Sequence, residues 1–292
     1  MKIVYDRHDS QWGKSFSDPE RIKVAQSWLK DDNLGFLYND LIRDVAGPLI
    51  RSVQGSSWLT VGDGSYGSDA NYLIRNGLDV HASDMYPVLL GKGSEFGFIN
   101  QYSAQNAESL SFEANSFDYV FCKDALHHCP RPVIAIYEML RVTRKAVVFL
   151  EPLDAQLKAV QQIIRLLLRR EYGRYIDEFE EVGNYVYGFN ERELTKICMG
   201  IGLTTCAFKR FSAYYFKGIE FVPKNGGSFP NVYKRARFHL GHAVRRIFAN
   251  TGLLTHNMLC SVIFKSELPD VYPKLAAEGF KVKRLSKNPY RV

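Results

Sequence analysis

The stretch that most constrains the fold is SSWLTVGDGSYGSDANYLIRNGLDVHASD, residues 56–84. An apolar run breaks at Gly62, Gly64 and Gly67, a helical pattern follows and stops at Gly77, and a second apolar run ends on Asp84. Strand, glycine turn, helix and strand in this order read as a βαβ unit, the building block of a parallel sheet. In such sheets a ligand sits outside the carboxyl ends of the strands, where the first strand turns into its helix. Glycines there let the backbone bend tightly and approach the ligand. An acid closing the second strand can accept hydrogen bonds from both hydroxyls of a ribose. The glycine pattern alone is a weak signal of which ligand that is.

The alternation continues downstream. GFINQYSA, SFDYVFCKD and RKAVVFLEP read as strands three to five, and the helix RPVIAIYEMLRVT lies between the last two. LTTCAFKRF and NMLCSVIFKS read as strands six and seven. The expected fold is α/β, a doubly wound, mostly parallel sheet of seven strands with helical N-terminal and inserted segments. The expected division is 1–50 as a helical lid or cap, 51–152 as a ligand-binding half, 153–268 as a substrate-side half with helical insertions, and 269–292 as a C-terminal tail. Two connections, about 154–200 and the segment between strands six and seven, exceed the usual 2–6 residues, and such lengths usually carry function.

Charge is unevenly placed. The net charge is +7, yet 221–266 holds no Asp or Glu and seven Lys or Arg, so the rest of the chain balances at 31 against 31. A local excess of this kind favours an anionic partner or simply a solvated helix face. The five cysteines are scattered and form no C-x-x-C pair, which points to reduced thiols and neither a disulfide frame nor a zinc site. The charged start MKIVYDRHDS lacks the apolar core of a leader, and no apolar run reaches the ~18 residues of a membrane span. These features lead us to expect a cytoplasmic protein.

The run NAESLSFEANSFDYVFCKDALHHCPRPVIAIYEMLRVTRKAVVFLEP, read with the glycine turn and Asp84, resembles the Rossmann-like S-adenosylmethionine-dependent methyltransferases of the small-molecule branch. The resemblance covers roughly residues 56–152 and implies a seventh strand antiparallel to the others. Three positions depart from the usual pattern: Thr60 stands where an acid is common, Tyr66 replaces a third close glycine, and Asn106 replaces the Asp of the adenine loop. A similar altered turn occurs in methyltransferases of bacterial surface-polysaccharide pathways. The resemblance implies that Gly62, Asp63 and Gly64 line the methionine moiety and that Asp84 holds the ribose. It also implies that Met85 flanks the adenine, that Asn106 and Ala107 meet its edge, and that Cys122 and Lys123 pass beneath the sulfonium.

Chemistry is expected in KDALHHCPRP. A hydroxyl acceptor must lose its proton, and a positioned base accelerates that by roughly 10²–10⁴-fold. Asp124, His127 and His128 stand at i, i+3 and i+4, one helical face if the segment is helical. Either a histidine is the base with a carboxylate orienting it, or the three hold a divalent metal as a two-His, one-carboxylate set. A third reading is a purely structural pair of histidines. The metal-free base is the favoured expectation. Glu151, closing strand five, is a candidate either for binding substrate hydroxyls or for capping the chain that follows, whereas Glu138 and Arg141 read as a structural pair.

The acceptor side is less legible. EFEEVGNYVYGFN and FSAYYFKGIEF combine aromatics with carboxylates, a mixture that suits a sugar or an ordinary core. The resemblance implies that the N-terminal segment folds over the cofactor as a lid, with Tyr5, His8 or Trp12 contributing. FPNVYKRARFHLGHAVRRIFANTG reads as a basic helix able to lie on an anionic membrane surface. The expectation is therefore O-methylation of a sugar or glycan intermediate, with peripheral contact at the inner membrane face. The alternatives are a silent cofactor-binding scaffold, another small-molecule methyltransferase, or a nucleic-acid methyltransferase. The last is disfavoured because DALH stands where amino-group modifiers carry N/D-P-P-Y/F.

Overall fold

The computed structural model describes residues 18–155, 179, 184–287, 289 and 290. Most of the long connection after strand five, and Tyr5, His8 and Trp12, lie outside these residues.

Among the described residues, three N-terminal helices lead into the sheet: α1 (Pro19–Ser27), α2 (Leu34–Arg43) and the single turn α3 (Gly47–Ile50). Asp18 and Asn33 start the first two by accepting the backbone N–H groups of Glu20 and Phe36, which satisfies donors a helix leaves unpaired. Then follow β1 (Ser57–Val61), α4 (Ser68–Arg75), β2 (Asp79–Asp84), α5 (Val88–Glu95), β3 (Gln101–Ala104), β4 (Phe117–Lys123), α6 (Pro132–Val142) and β5 (Thr143–Pro152). The second half contributes α7 (Glu191–Gly200), β6 (Thr205–Phe211), α8 (Phe229–Asn250), β7 (Met258–Phe264), α9 (Tyr272–Ala277) and β8 (Lys281–Arg284).

The strands form one sheet in the order β3-β2-β1-β4-β5-β7-β6-β8. Strands β1 to β5 pair in parallel, and β7 lies antiparallel between β5 and β6. The expectation of seven strands is one short. KVKR at 281–284 adds an eighth, antiparallel to β6, in the region expected to be a tail. A short, lysine-rich edge strand carries almost no apolar signal, because its charge serves to discourage further pairing.

Side chains alternate across the central strands and build a core on each face. Trp58, Val80, Tyr119, Phe121, Val148 and Val262 pack with residues of α2, α3, α4 and α9. Leu59, Val61, Val120, Val147, Phe149 and Ile263 pack with α6 and α7. Burial on both faces explains why β1, β4 and β5 read as near-continuous apolar runs.

Candidate active site

A cavity of about 360 Å³ opens at the carboxyl ends of β1, β2 and β4. Gly62, Asp63 and Gly64 line it from the first turn, and Asp84 and Met85 from the end of β2. Asn106 and Ala107 come from the loop after β3, and Cys122, Lys123, Asp124 and His128 from the end of β4. The topology brings these together because all follow parallel strands that point the same way.

The glycine turn is built for close approach. Gly62 has φ +77°, and a β-carbon on it would lie 2.2 Å from Ala125 Cβ. A β-carbon on Gly64 would lie 2.9 Å from Asp84 Oδ2. Tyr66, the departure from glycine, adopts φ +61° nonetheless and is fully buried. Its ring packs with Ala25 of α1, Leu29 just beyond it and Leu89 of α5, so apolar burial offsets a left-handed backbone that costs a non-glycine residue about 1–2 kcal/mol.

Asp63 touches the cavity, but its carboxylate is engaged elsewhere. Oδ1 accepts from Asp69 N at 3.0 Å, and Oδ2 from Ala70 N at 2.8 Å and from the Thr60 hydroxyl at 3.0 Å. It closes the amino end of α4, a common use of an acid. Thr60 and Asp63 together thus account for the missing acid on β1: the carboxylate stands three residues later and the threonine donates to it. Burial, reinforced by nearby Asp69, raises the Asp63 pKa. Arg43, itself 1% exposed, pairs with Asp69 at 2.6 Å and fastens α2 to this turn.

Asp84 accepts from Tyr86 N at 2.7 Å. Burial lifts its carboxyl from 3.8 to about 6, against the opposing effect of the Tyr86 and Gly64 backbone N–H groups. Asn106 turns its carbonyl oxygen to Glu108 N at 2.9 Å. Glu108 in turn accepts from Arg131 N and Nε, both at 2.6 Å, and ties this loop to the start of α6. The pair Glu138–Arg141 braces the same loop, with Arg141 donating to the carbonyls of Leu110 and Phe112.

The loop after β4 departs from its expected geometry. Asp124 sits at φ +49° and 126–128 form a single 3₁₀ turn, so Asp124, His127 and His128 do not share an α-helical face. His127 is buried, and its Nδ1 lies 2.6 Å from Glu151 Oε2. His128 and Asp124 line the cavity, whereas His127 and Glu151 do not. Glu151 is 1% exposed, and its Oε1 accepts from Ala125 N and Leu126 N at 3.1 and 2.9 Å. The expectation that Glu151 binds substrate hydroxyls is therefore corrected: this carboxylate holds the loop. The metal alternative gains no support from the arrangement, because His127 does not reach the cavity wall on which Asp124 and His128 stand. Among the described residues, no group of three or more His, Cys, Asp or Glu is arranged to hold an ion.

Residues 59–150 match a family model described as a methyltransferase domain. Over this stretch the chain carries a methyltransferase domain. No curated protein matches the sequence. Among solved structures, phosphoethanolamine N-methyltransferase 2 of Haemonchus contortus, in complex with S-adenosyl-L-methionine, superposes with a TM-score of 0.51 at 16% identity, covering 85% of this chain and 57% of that one. The YcgJ protein of Bacillus subtilis superposes with 0.50 at 17%, covering 77% and 99%. The [4+2]-cyclase SpnF superposes with 0.50 at 15%, covering 77% and 80%. At such identities the likeness speaks for the fold alone, and the cyclase illustrates how one fold hosts different reactions.

The cavity of this methyltransferase domain has three features that would admit S-adenosylmethionine: side-chain-free backbone at Gly62 and Gly64, a buried acid at Asp84, and a loop edge at Asn106 and Ala107. On the other wall stand residues that sequence reading did not single out. Trp28 caps the end of α1, Tyr38 stands in α2, and Tyr215 and Glu220 follow β6. The aromatic cluster FSAYYFKGIEF hinted at the last two, whereas an aromatic in a helix gives no sign that it faces a ligand. Gly35 permits this wall: a β-carbon there would lie 2.9 Å from Glu220 Cα. The Tyr215 hydroxyl donates to Glu220 Oε1 at 2.8 Å, and its ring centroid lies 5.6 Å from that of Tyr38. Burial, with the Glu220 bond, pushes the Tyr215 hydroxyl up to about 12, and burial lifts Tyr38 further still. Burial keeps the Cys122 thiol protonated, so it is no nucleophile. Burial also works against charge on Asp124, but Lys123 at 2.8 Å, with the two histidines, holds its carboxyl below the ordinary range.

Proposed function

We propose that this chain methylates a hydroxyl of a sugar or glycan intermediate, with His128 as the base. The observation that carries the reading is the placement of His128 and Asp124 on the cavity wall. Tyr38, Tyr215 and Glu220 form other parts of that wall. S-adenosylmethionine supplies a methyl group activated by positive sulfur. Asp84 would hold the ribose hydroxyls, and Gly62 and Gly64 would admit the methionine moiety. Met85 would lie against the adenine, and Ala107 and Asn106 would meet its edge. With the Asn106 carbonyl occupied, its amide N–H₂ is the group available, a donor suited to a ring nitrogen. Cys122 and Lys123 would pass beneath the sulfonium. His128 would take the hydroxyl proton, and the anionic Asp124 would orient the acceptor or the imidazole. Rings at Tyr38 and Tyr215 pack on the C–H face of a sugar while Glu220 accepts from its hydroxyls. Because the cofactor's carbon is already electrophilic, alignment by this wall is the protein's main contribution.

Glu220 between two tyrosines also suits a cationic amine, which is the second reading. Incubation with methyl-labelled cofactor and panels of glycan intermediates and of amines separates the two. A product methylated on oxygen is expected. Methylation on nitrogen replaces the first reading with the second, and no transfer to any acceptor despite tight cofactor binding favours a scaffold. His128→Ala should lower kcat by ~10²–10⁴-fold with cofactor affinity unchanged. Full activity of that variant removes His128 as base.

A further inference from the structure

Helix α8 is 22 residues long and is docked through a narrow face. Phe238 is fully buried with Leu34, Ile219 and Val222. Gly241 lies so close to Tyr214 that a β-carbon would meet its ring at 2.4 Å. Phe238 and Ala249 are the helix's buried residues. The opposite face carries Phe229, Tyr233, Leu240, Val244 and Ile247, all exposed, with Phe229 at 83% and Leu240 at 65%. At 100° per residue these five fall within a stripe about 60° wide, running about 27 Å along the helix.

Exposed Lys234 and Arg237 lie on one side of the stripe, and exposed Arg246 on the other. No acidic residue occurs anywhere in 221–266. An apolar stripe of this size is not what a solvated face presents, and contiguous exposed apolar surface marks an interaction site.

We propose that α8 docks this chain on an anionic lipid surface. The apolar stripe would enter the boundary between headgroups and acyl chains while the flanking cations meet lipid phosphates and carboxylates. Charge complementarity selects this occupant. A second copy placed stripe to stripe would oppose basic edges with no acid to pair them. A nucleic acid would use the cations but leave the large apolar side chains in water. The helix lies on the surface and does not cross it: among the described residues no helix is long and apolar enough to span a membrane. The inner side of α8 packs on Ile219, which with Glu220 lines the cavity, so the membrane would lie one helix away from the acceptor wall.

The test is flotation of the full chain with vesicles of phosphatidylcholine alone and of phosphatidylcholine mixed with phosphatidylglycerol. Binding is expected on the mixed vesicles, falling as salt screens exposed charges beyond about 10 Å at 0.1 M. Leu240→Ser with Ile247→Ser should lower partitioning by about tenfold or more. Lys234→Gln with Arg246→Gln should weaken binding and flatten its salt dependence. Unchanged S-adenosylhomocysteine affinity in both variants establishes that they are folded, and it makes the result independent of which acceptor is methylated. Equal partitioning on neutral and anionic vesicles overturns the proposal. So does serine-variant binding equal to the parent's, or a dimer in light scattering that the serine substitutions dissolve.

Discussion

Glu151 Oε2 and His127 Nδ1 lie 2.6 Å apart with both residues buried, and the other carboxylate oxygen accepts the N–H groups of Ala125 and Leu126. One strand-end acid thereby holds three consecutive residues of the loop after β4. Satisfying His127 inside the protein leaves the next residue, His128, on the cavity wall.

Removing that acceptor should unfold the loop before it affects any bond-making group. Glu151→Ala leaves buried donors unpaired and is expected to cost about 2–4 kcal/mol. Glu151→Gln keeps an oxygen for the two backbone N–H groups and should cost less than half as much. Denaturant unfolding of the two variants checks the order, and equal losses would mean that the carboxylate does not organise the loop.

Asp84 predicts how cofactor affinity follows pH. Its carboxyl is raised from 3.8 to about 6 in the free protein, and two ribose hydroxyls donate better to the ionised form. Affinity for S-adenosylhomocysteine should be flat above about pH 7 and weaken as pH falls through about 6. The free protein should show the opposite sign. A raised carboxyl contributes stability that is fully present below 3.8 and lost as pH rises through about 6, so ligand-induced stabilisation grows with pH. Calorimetry on Asp84→Asn should give weaker binding by about 1–3 kcal/mol and a flattened pH profile. An unaltered profile would detach Asp84 from the ligand.

Gly62 tests the turn. A β-carbon there collides with Ala125 at 2.2 Å in a backbone at φ +77°. Gly62→Ala should destabilise the fold by more than the ~1–2 kcal/mol of left-handed strain alone and push the loop after β4 away. Thermal unfolding and cofactor titration read both effects. A variant as stable as the parent and binding as tightly would show that the two loops are not in contact.

Glu220 tests the acceptor wall. It is buried, lines the cavity and accepts from Tyr215. Glu220→Gln should raise KM for the acceptor by about tenfold, the scale of one weakened polar contact, with cofactor affinity unchanged. A loss confined to cofactor binding would place Glu220 on the other side of the site.

Local pattern determined much of this protein. Glycines at 62, 64 and 67, the acid at 84 and the apolar runs of β1, β4 and β5 made the βαβ order and the ligand-binding edge legible, because periodicity and backbone permissiveness are properties of short stretches. The basic helix was legible for the same reason, since its charges and apolar residues repeat within one element. Tertiary structure alone decided which groups share a cavity. Asp124, His127 and His128 are neighbours in sequence, yet only Asp124 and His128 line the cavity, because a carboxylate on β5 holds His127. Thr60 and Asp63 look like departures from a pattern until the amino end of α4 reveals what the carboxylate caps. Tyr38, Tyr215 and Glu220 come from segments nearly two hundred residues apart, and beyond the aromatic cluster around the last two nothing local marks them as one wall, because a cavity wall is made by packing between elements. Which face of α8 is buried was likewise decided by Leu34, Ile219 and Val222 closing on Phe238, contacts that exist only once the sheet and the N-terminal helices have assembled.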